Sequence, residues 1–293
     1  MAIIQSSAAC CDILLQKPFN SCSIRIHNGT SSLPLKSSIN TTHLSLNNPR
    51  KPLTVSCSLL DDGVTGSAVQ ALEIDPTLAV KKKAMEISPG LKGTSIYLVG
   101  INSTMKSKLG KLLADSLRYY FFDSDNLVVE AAGGEAAAKQ FLNMDKAGFR
   151  ESETEVLRQL SSMGRLVVSA GDGAVQSSTN LALLRHGISI WVDVPLDIIA
   201  TEIIENGVQL FGTEISPSAS HSEVLSQLAT IYEELRGGYA IADATISVQK
   251  VAGLLGYDDM EAVSTENMGL EVLNELEKLI RVKKMMEEAA RPF

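Results

Sequence analysis

One octapeptide constrains this chain more than any other feature: Gly100-Ile-Asn-Ser-Thr-Met-Lys-Ser107. It follows an apolar run, Ser95–Val99, and precedes a helix-like stretch, Lys108–Leu117. A strand, a loop ending in Lys-Ser and then a helix is the layout of the phosphate-binding loop G-x-x-x-x-G-K-[ST]. Such a loop wraps phosphate oxygens with backbone N–H groups at a helix N-terminus. In that frame Gly100 opens the loop, Lys106 supplies a point charge and Ser107 ligates Mg²⁺. Met105 stands where the second glycine belongs. If that position needs left-handed geometry, a side chain strains it by about 1–2 kcal/mol, and the thioether can also fill phosphate space. A plain strand–turn–helix with a surface Lys-Ser is the other reading of the same residues.

The pattern downstream alternates. Ile96–Val99, Tyr119–Phe122, Leu166–Ser169, Ser189–Val194 and Ala244–Val248 read as strands. Ser107–Leu117, Asp145–Gly164, Leu196–Glu205, His221–Leu235 and an amphipathic tail, Gly269–Ala289, read as helices. Short apolar strands alternating with helices predict an α/β fold, a parallel sheet covered on both faces. Ligands in such sheets sit beyond the carboxyl ends of the strands. Gly100–Ser107, Asp123–Asp125 and Gly171–Gly173 all fall at such ends, and that convergence favours the phosphate-loop reading.

The first 57 residues differ from the rest. They hold ten Ser, five Lys/Arg and one acid, Asp12. That composition predicts an organellar transit peptide, with an ordinary disordered tail as the alternative. Its removal moves the net charge from −8 to −12, and so acidic a chain excludes nucleic acid as a partner. No apolar run approaches the ~18 residues of a membrane span. All four cysteines lie at or before Cys57, so the remainder has neither a disulfide framework nor a cysteine metal site. Residues 58–92 read as a polar lead-in, with turn signals at Asp75-Pro76 and Ser88-Pro-Gly90 and a short helix over Ala79–Ile87. The Lys81-Lys-Lys83 triplet reads as a solvated face, and the domain is placed at 93–289.

The remaining polar candidates each have two readings. Asp123 and Asp125 suit Mg²⁺ water and a substrate hydroxyl, or a turn and helix cap. Arg150, among Glu151, Glu153 and Glu155, suits a ligand carboxylate or pairing along a helix face. Gly171-Asp172-Gly173 suits an anion or a strand-terminal turn. Arg236 suits a bidentate carboxylate clamp or a cation near a helix C-terminus. His186 and His221 have no metal-ligand spacing.

In order, these segments resemble the shikimate kinase family over about Gly93–Val248. The match runs through Lys106-Ser107, Phe121-Phe-Asp-Ser-Asp125, Phe149-Arg-Glu-Ser-Glu-Thr-Glu155, Ser169-Ala-Gly-Asp-Gly-Ala-Val175, Trp191-Val-Asp-Val-Pro195, and Arg236 ahead of Tyr239. The resemblance implies the P-loop NTPase fold of the nucleoside-monophosphate-kinase type. It implies that Gly100, Lys106 and Ser107 bind nucleotide and that Ser107 and Asp123 hold Mg²⁺. By the same resemblance, Asp125 takes the substrate hydroxyl as candidate base, and Arg150, Gly171, Gly173 and Arg236 surround the substrate carboxylate.

Three departures count against activity: Met105, Asp172 in place of the middle glycine, and the lid. Active members close an arginine over ATP, whereas Asn206–Pro217 has no cation, and neither does any position from His186 to Leu235. Phosphoryl transfer depends on such charges, and losing a catalytic arginine costs about 10³–10⁵ in rate. The expectation is a plastid shikimate-kinase-like protein without kinase activity, which binds or regulates. Resemblance to the plant shikimate-kinase-like group implies a role in chloroplast development. No cofactor is then required, residual ATP/Mg²⁺ binding stays open, and the partner is an unidentified plastid protein or small ligand. Two alternatives stand: a working kinase drawing cations from Lys108, Lys111 or a partner subunit, and a nucleotide-binding switch without transfer.

Overall fold

Ile96–Val99 (β1) is buried at all four positions, and so is Leu166–Ser169 (β3). Runs buried on both faces belong to the middle of a covered sheet. The computed structural model, which describes residues 75–206 and 219–290, places them there. Five parallel strands run in the order β2-β3-β1-β4-β5, with β2 at Tyr120–Asp123, β4 at Ile188–Asp193 and β5 at Ala244–Ser247. Ile96 pairs with both Val167 and Ile188, so the strand feeding the loop is the central one. All five expected strands are present, each within one residue of its expected bounds.

The first difference is at the amino end. Pro76–Leu91 forms a helix (α1) capped by Asp75, whose carboxylate accepts from Thr77 N–H at 3.0 Å. Val80, Ala84, Ile87 and Leu91 recur at helical spacing and are buried in the main core. This segment is therefore part of the domain rather than a lead-in to it. Its expected turn, Ser88-Pro-Gly90, lies inside the helix, and Lys83 forms an ion pair with Glu277 at 2.5 Å. The transit-peptide segment lies outside the described residues.

Next comes Thr104–Leu117 (α2), followed by Ser124–Ala132 (α3), Glu135–Met144 (α4) and Lys146–Ser161 (α5). Ser178–Leu184 (α6), Leu196–Asn206 (α7), His221–Tyr239 (α8) and Val248–Leu255 (α9) complete the cover. Thr265–Ala289 (α10) packs along α1, α2 and β5 through Met268, Gly269, Val272, Leu273 and Leu276. The lid-equivalent stretch beyond Asn206 lies outside the described residues up to Ser218.

Candidate functional site

The site is built where β1, β2 and β3 end. Gly100 leaves β1 at φ +129°, and a Cβ there would run into the Val192 carbonyl of β4. Only glycine takes that turn without strain. The loop that follows is short. Ser103 caps α2 and accepts from Lys106 N–H at 3.2 Å, so the helix starts at Thr104, three residues before the expected Ser107. Met105 lies inside that helix and not among the described positive-φ residues, so left-handed strain is absent. Its thioether packs on the core, 3.9 Å from the Thr265 hydroxyl of α10.

Lys106 is fully buried. Its ammonium donates to two backbone carbonyls, Gly100 at 2.7 Å and Ala170 at 2.8 Å, stitching the β1 loop to the β3 loop. The loop's N–H groups are also engaged. Thr104 N–H donates to the Glu202 carboxylate of α7 at 2.8 Å. Asn102 N–H faces the Asp172 carboxylate and favours its charge. Two of the protein's own carboxylates therefore sit on the loop where the motif would place phosphate oxygens.

Asp172 belongs to a 3-10 turn, Asp172–Val175, at the end of β3. Burial raises its pKa, while the Lys106 charge, the Tyr239 hydroxyl and the Asn102 N–H pull it back. Tyr239 donates to it at 3.1 Å and stacks on Trp191 of β4, ring centres 5.8 Å apart. Burial and the neighbouring Asp172 charge push the Tyr239 hydroxyl up strongly. One N–H of the turn is taken: Gly171 N–H donates to the Ser124 hydroxyl at 2.9 Å. Gly171 and Gly173 are glycines for space. A Cβ at the first would collide with the Asp125 carboxylate, and at the second with Glu153 and Arg150.

Asp123 ends β2 and caps α3, accepting from Asp125 N–H at 3.1 Å and Asn126 N–H at 3.2 Å. Asp125 is buried, with Asn102 Nδ2 at 3.5 Å. Burial first, then the Asp172 and Asp123 charges, lift its carboxyl to about 8. At neutral pH it therefore carries a proton and is a poor acceptor for another.

Arg150, on α5, gives Nη1 to both Glu153 oxygens at 2.8 Å. Burial raises the Glu153 carboxyl and Arg150 opposes the rise. The Arg150 Nε is buried and has no hydrogen-bond partner among the described residues. Arg236 departs from expectation. Its side chain is 60% exposed at the last turn of α8, with Glu233 at 3.8 Å as its ion pair. The helix runs on to Tyr239, four residues beyond the expected end, and turns Arg236 to solvent while Tyr239 goes inward. Ser107 is half-buried on α2.

The pocket thus joins Lys106, Asp125, Arg150 and Asp172, with Glu153, Tyr239, Glu202 and Asn102 as members that spacing did not single out. Glu202 was visible only as one acid on an apolar helix; its bond to Thr104 requires α7 to be folded against the loop. Several donors that would meet ATP phosphates are engaged within the protein. Thr104 N–H faces the Glu202 carboxylate, Lys106 N–H the Ser103 hydroxyl, and the Lys106 ammonium two carbonyls.

Residues 102–252 match the family model of shikimate kinase. The chain is 54% identical over 260 residues to an Arabidopsis thaliana protein described as probable inactive shikimate kinase like 1, chloroplastic, covering 89% of this chain and 88% of that one. It is 38% identical over 208 residues to shikimate kinase 2, chloroplastic, of Oryza sativa subsp. japonica, covering 71% and 68%. Among solved structures, shikimate kinase from Bacteroides thetaiotaomicron superposes with a TM-score of 0.52 at 21% identity, over 63% of this chain and 98% of that one. That likeness supports the fold, a P-loop NTPase sheet with helices on both faces. This chain belongs to the shikimate kinase family.

Proposed function

We propose that this protein is a chloroplast member of the family that has lost phosphoryl transfer and serves as a binding or regulatory protein. One observation carries the reading: Glu202 and Asp172 occupy the backbone donors of the phosphate loop. Catalysis of phosphoryl transfer is nearly all positioning and charge neutralisation. Here an incoming triphosphate meets two carboxylates, and no cation lies in the chain between His186 and Leu235 to offset them. Two carboxylates near 4 Å repel a phosphate charge by roughly 1 kcal/mol each in water and more in a closed site.

The description of the 54%-identical relative as probable inactive and chloroplastic supports both the lost activity and the compartment. The role in chloroplast development rests on likeness to the plant group alone. Neither ATP nor Mg²⁺ is required for the proposed role.

Thermal unfolding with and without ATP and Mg²⁺ tests it, since a ligand that binds only the folded form raises the melting temperature. The expected result is no shift and no coupled ADP release with shikimate. A shift without turnover would favour a nucleotide switch. Turnover that disappears in Lys106→Ala would favour a working kinase.

A further inference from the structure

The last ten residues of α10 and its cap, 281–290, are exposed throughout, although the turns before them are packed into the core. A helix end without packing is marginal in water, and this one is not uniformly polar. Val282 (47% exposed), Met285 (55%) and Met286 (68%) stand at i, i+3 and i+4 and form one apolar stripe. The packed face of α10 runs through Val272, Leu276, Leu279 and Ile280. At 100° per residue Val282 and Met286 continue the line of Val272 and Leu279 past the point where the domain packs on the helix, and Met285 widens it.

We propose that this stripe is a self-association surface, on which a second copy of the chain seats antiparallel about a two-fold axis. Charge pattern names the occupant. Arg281 and Glu288, seven residues apart, share one shoulder of the stripe. In an antiparallel isologous pair, each shoulder meets the same shoulder of the partner. Arg281 then faces the partner's Glu288, and Glu288 the partner's Arg281, while Met285 and Met286 interdigitate at the axis.

The whole chain carries −8 and would repel its copy, but residues 281–290 hold three cations and two acids. The two copies therefore meet at a surface free of that repulsion. The present partners of the shoulder charges, Glu277 for Arg281 at 3.2 Å and Lys284 for Glu288 at 3.9 Å, are exposed pairs within the helix. Such pairs are weak and exchange readily. A stripe of three side chains is far below the area of a stable interface, so the dimer is concentration-dependent.

Sedimentation of the full chain over about a hundredfold range of concentration tests this, because mass action must move a weak dimer across its midpoint. The wild type is expected to shift from monomer toward dimer. Arg281→Glu, Glu288→Arg and Met285→Asp are each expected to stay monomeric with unchanged melting temperature, all three positions being exposed. An equimolar mixture of Arg281→Glu with Glu288→Arg is expected to regain the dimer, since each shoulder again meets its opposite.

A wild type that remains monomeric throughout overturns the proposal, including one that instead sediments with anionic vesicles. So does a dimer that survives both Arg281→Glu and Met285→Asp.

Discussion

The two ends of the pocket have been treated differently. At the arginine end, Arg150 is fixed by Glu153 yet keeps a buried Nε with no partner among the described residues. At the loop end, Thr104 and Asn102 N–H groups are held by Glu202 and Asp172, and Lys106 is bound to two carbonyls. One end keeps a donor on offer and the other has spent its donors inside the protein. On the reading proposed above, the difference is that of a phosphate site closed by the protein's own groups. Lys106 and Ser107 are intact in sequence, but the charge complement has passed from ligand to protein.

The largest effect should come from emptying the loop end. Glu202→Ala with Asp172→Gly frees two backbone donors and removes two like charges. Charge-assisted hydrogen bonds contribute about 1.5–3 kcal/mol each, so inorganic pyrophosphate should bind at least ~100-fold more tightly by calorimetry. Unchanged affinity would break the comparison.

Breaking the arginine end should act on stability instead. Arg150→Met leaves Glu153 buried without its partner, which destabilises by about 3 kcal/mol in urea unfolding. Arg236→Ala, at an exposed helix end, should cost less than ~0.5 kcal/mol. Similar values for the two would mean that the pocket holds neither arginine as described.

Asp125 lies between the ends, and its effect depends on pH. Its folded value of about 8 lies above the usual carboxylate range, so the folded state holds the proton longer than the unfolded chain does. The stability this contributes is complete below the unfolded value and is lost as pH rises through the folded one. Wild-type stability should therefore fall between about pH 4 and pH 8. Asp125→Asn should flatten that slope, and its stability relative to wild type should rise from acid to pH 9. A parallel pH profile for the two proteins would show that Asp125 is not buried among the other carboxylates.

Met105→Gly should do least to binding. It places glycine in a helix and removes a partly buried thioether, costing about 1 kcal/mol with pyrophosphate binding unchanged. A clear gain in binding would restore Met105 as the obstruction.

That last case marks what could be read from the sequence. The strands were legible because β1 and β3 are unbroken apolar runs, and the loop was legible because glycine must turn at Gly100. Met105 was legible as a departure, but its consequence was not. Ser103 starts the helix early, and this turns the side chain toward Thr265. Glu202 was invisible as a site residue because its partner is a backbone N–H 98 positions away. Arg236 and Tyr239 exchanged importance for a similar reason: one further turn of α8 decides which faces inward, and element ends are the least determined by local pattern.

The most direct measurement is transfer of a labelled γ-phosphate from ATP to shikimate by the wild-type chain with Mg²⁺. The account predicts no labelled product above the enzyme-free background. Product formed at ordinary kinase turnover, about 1–100 per second, would contradict it.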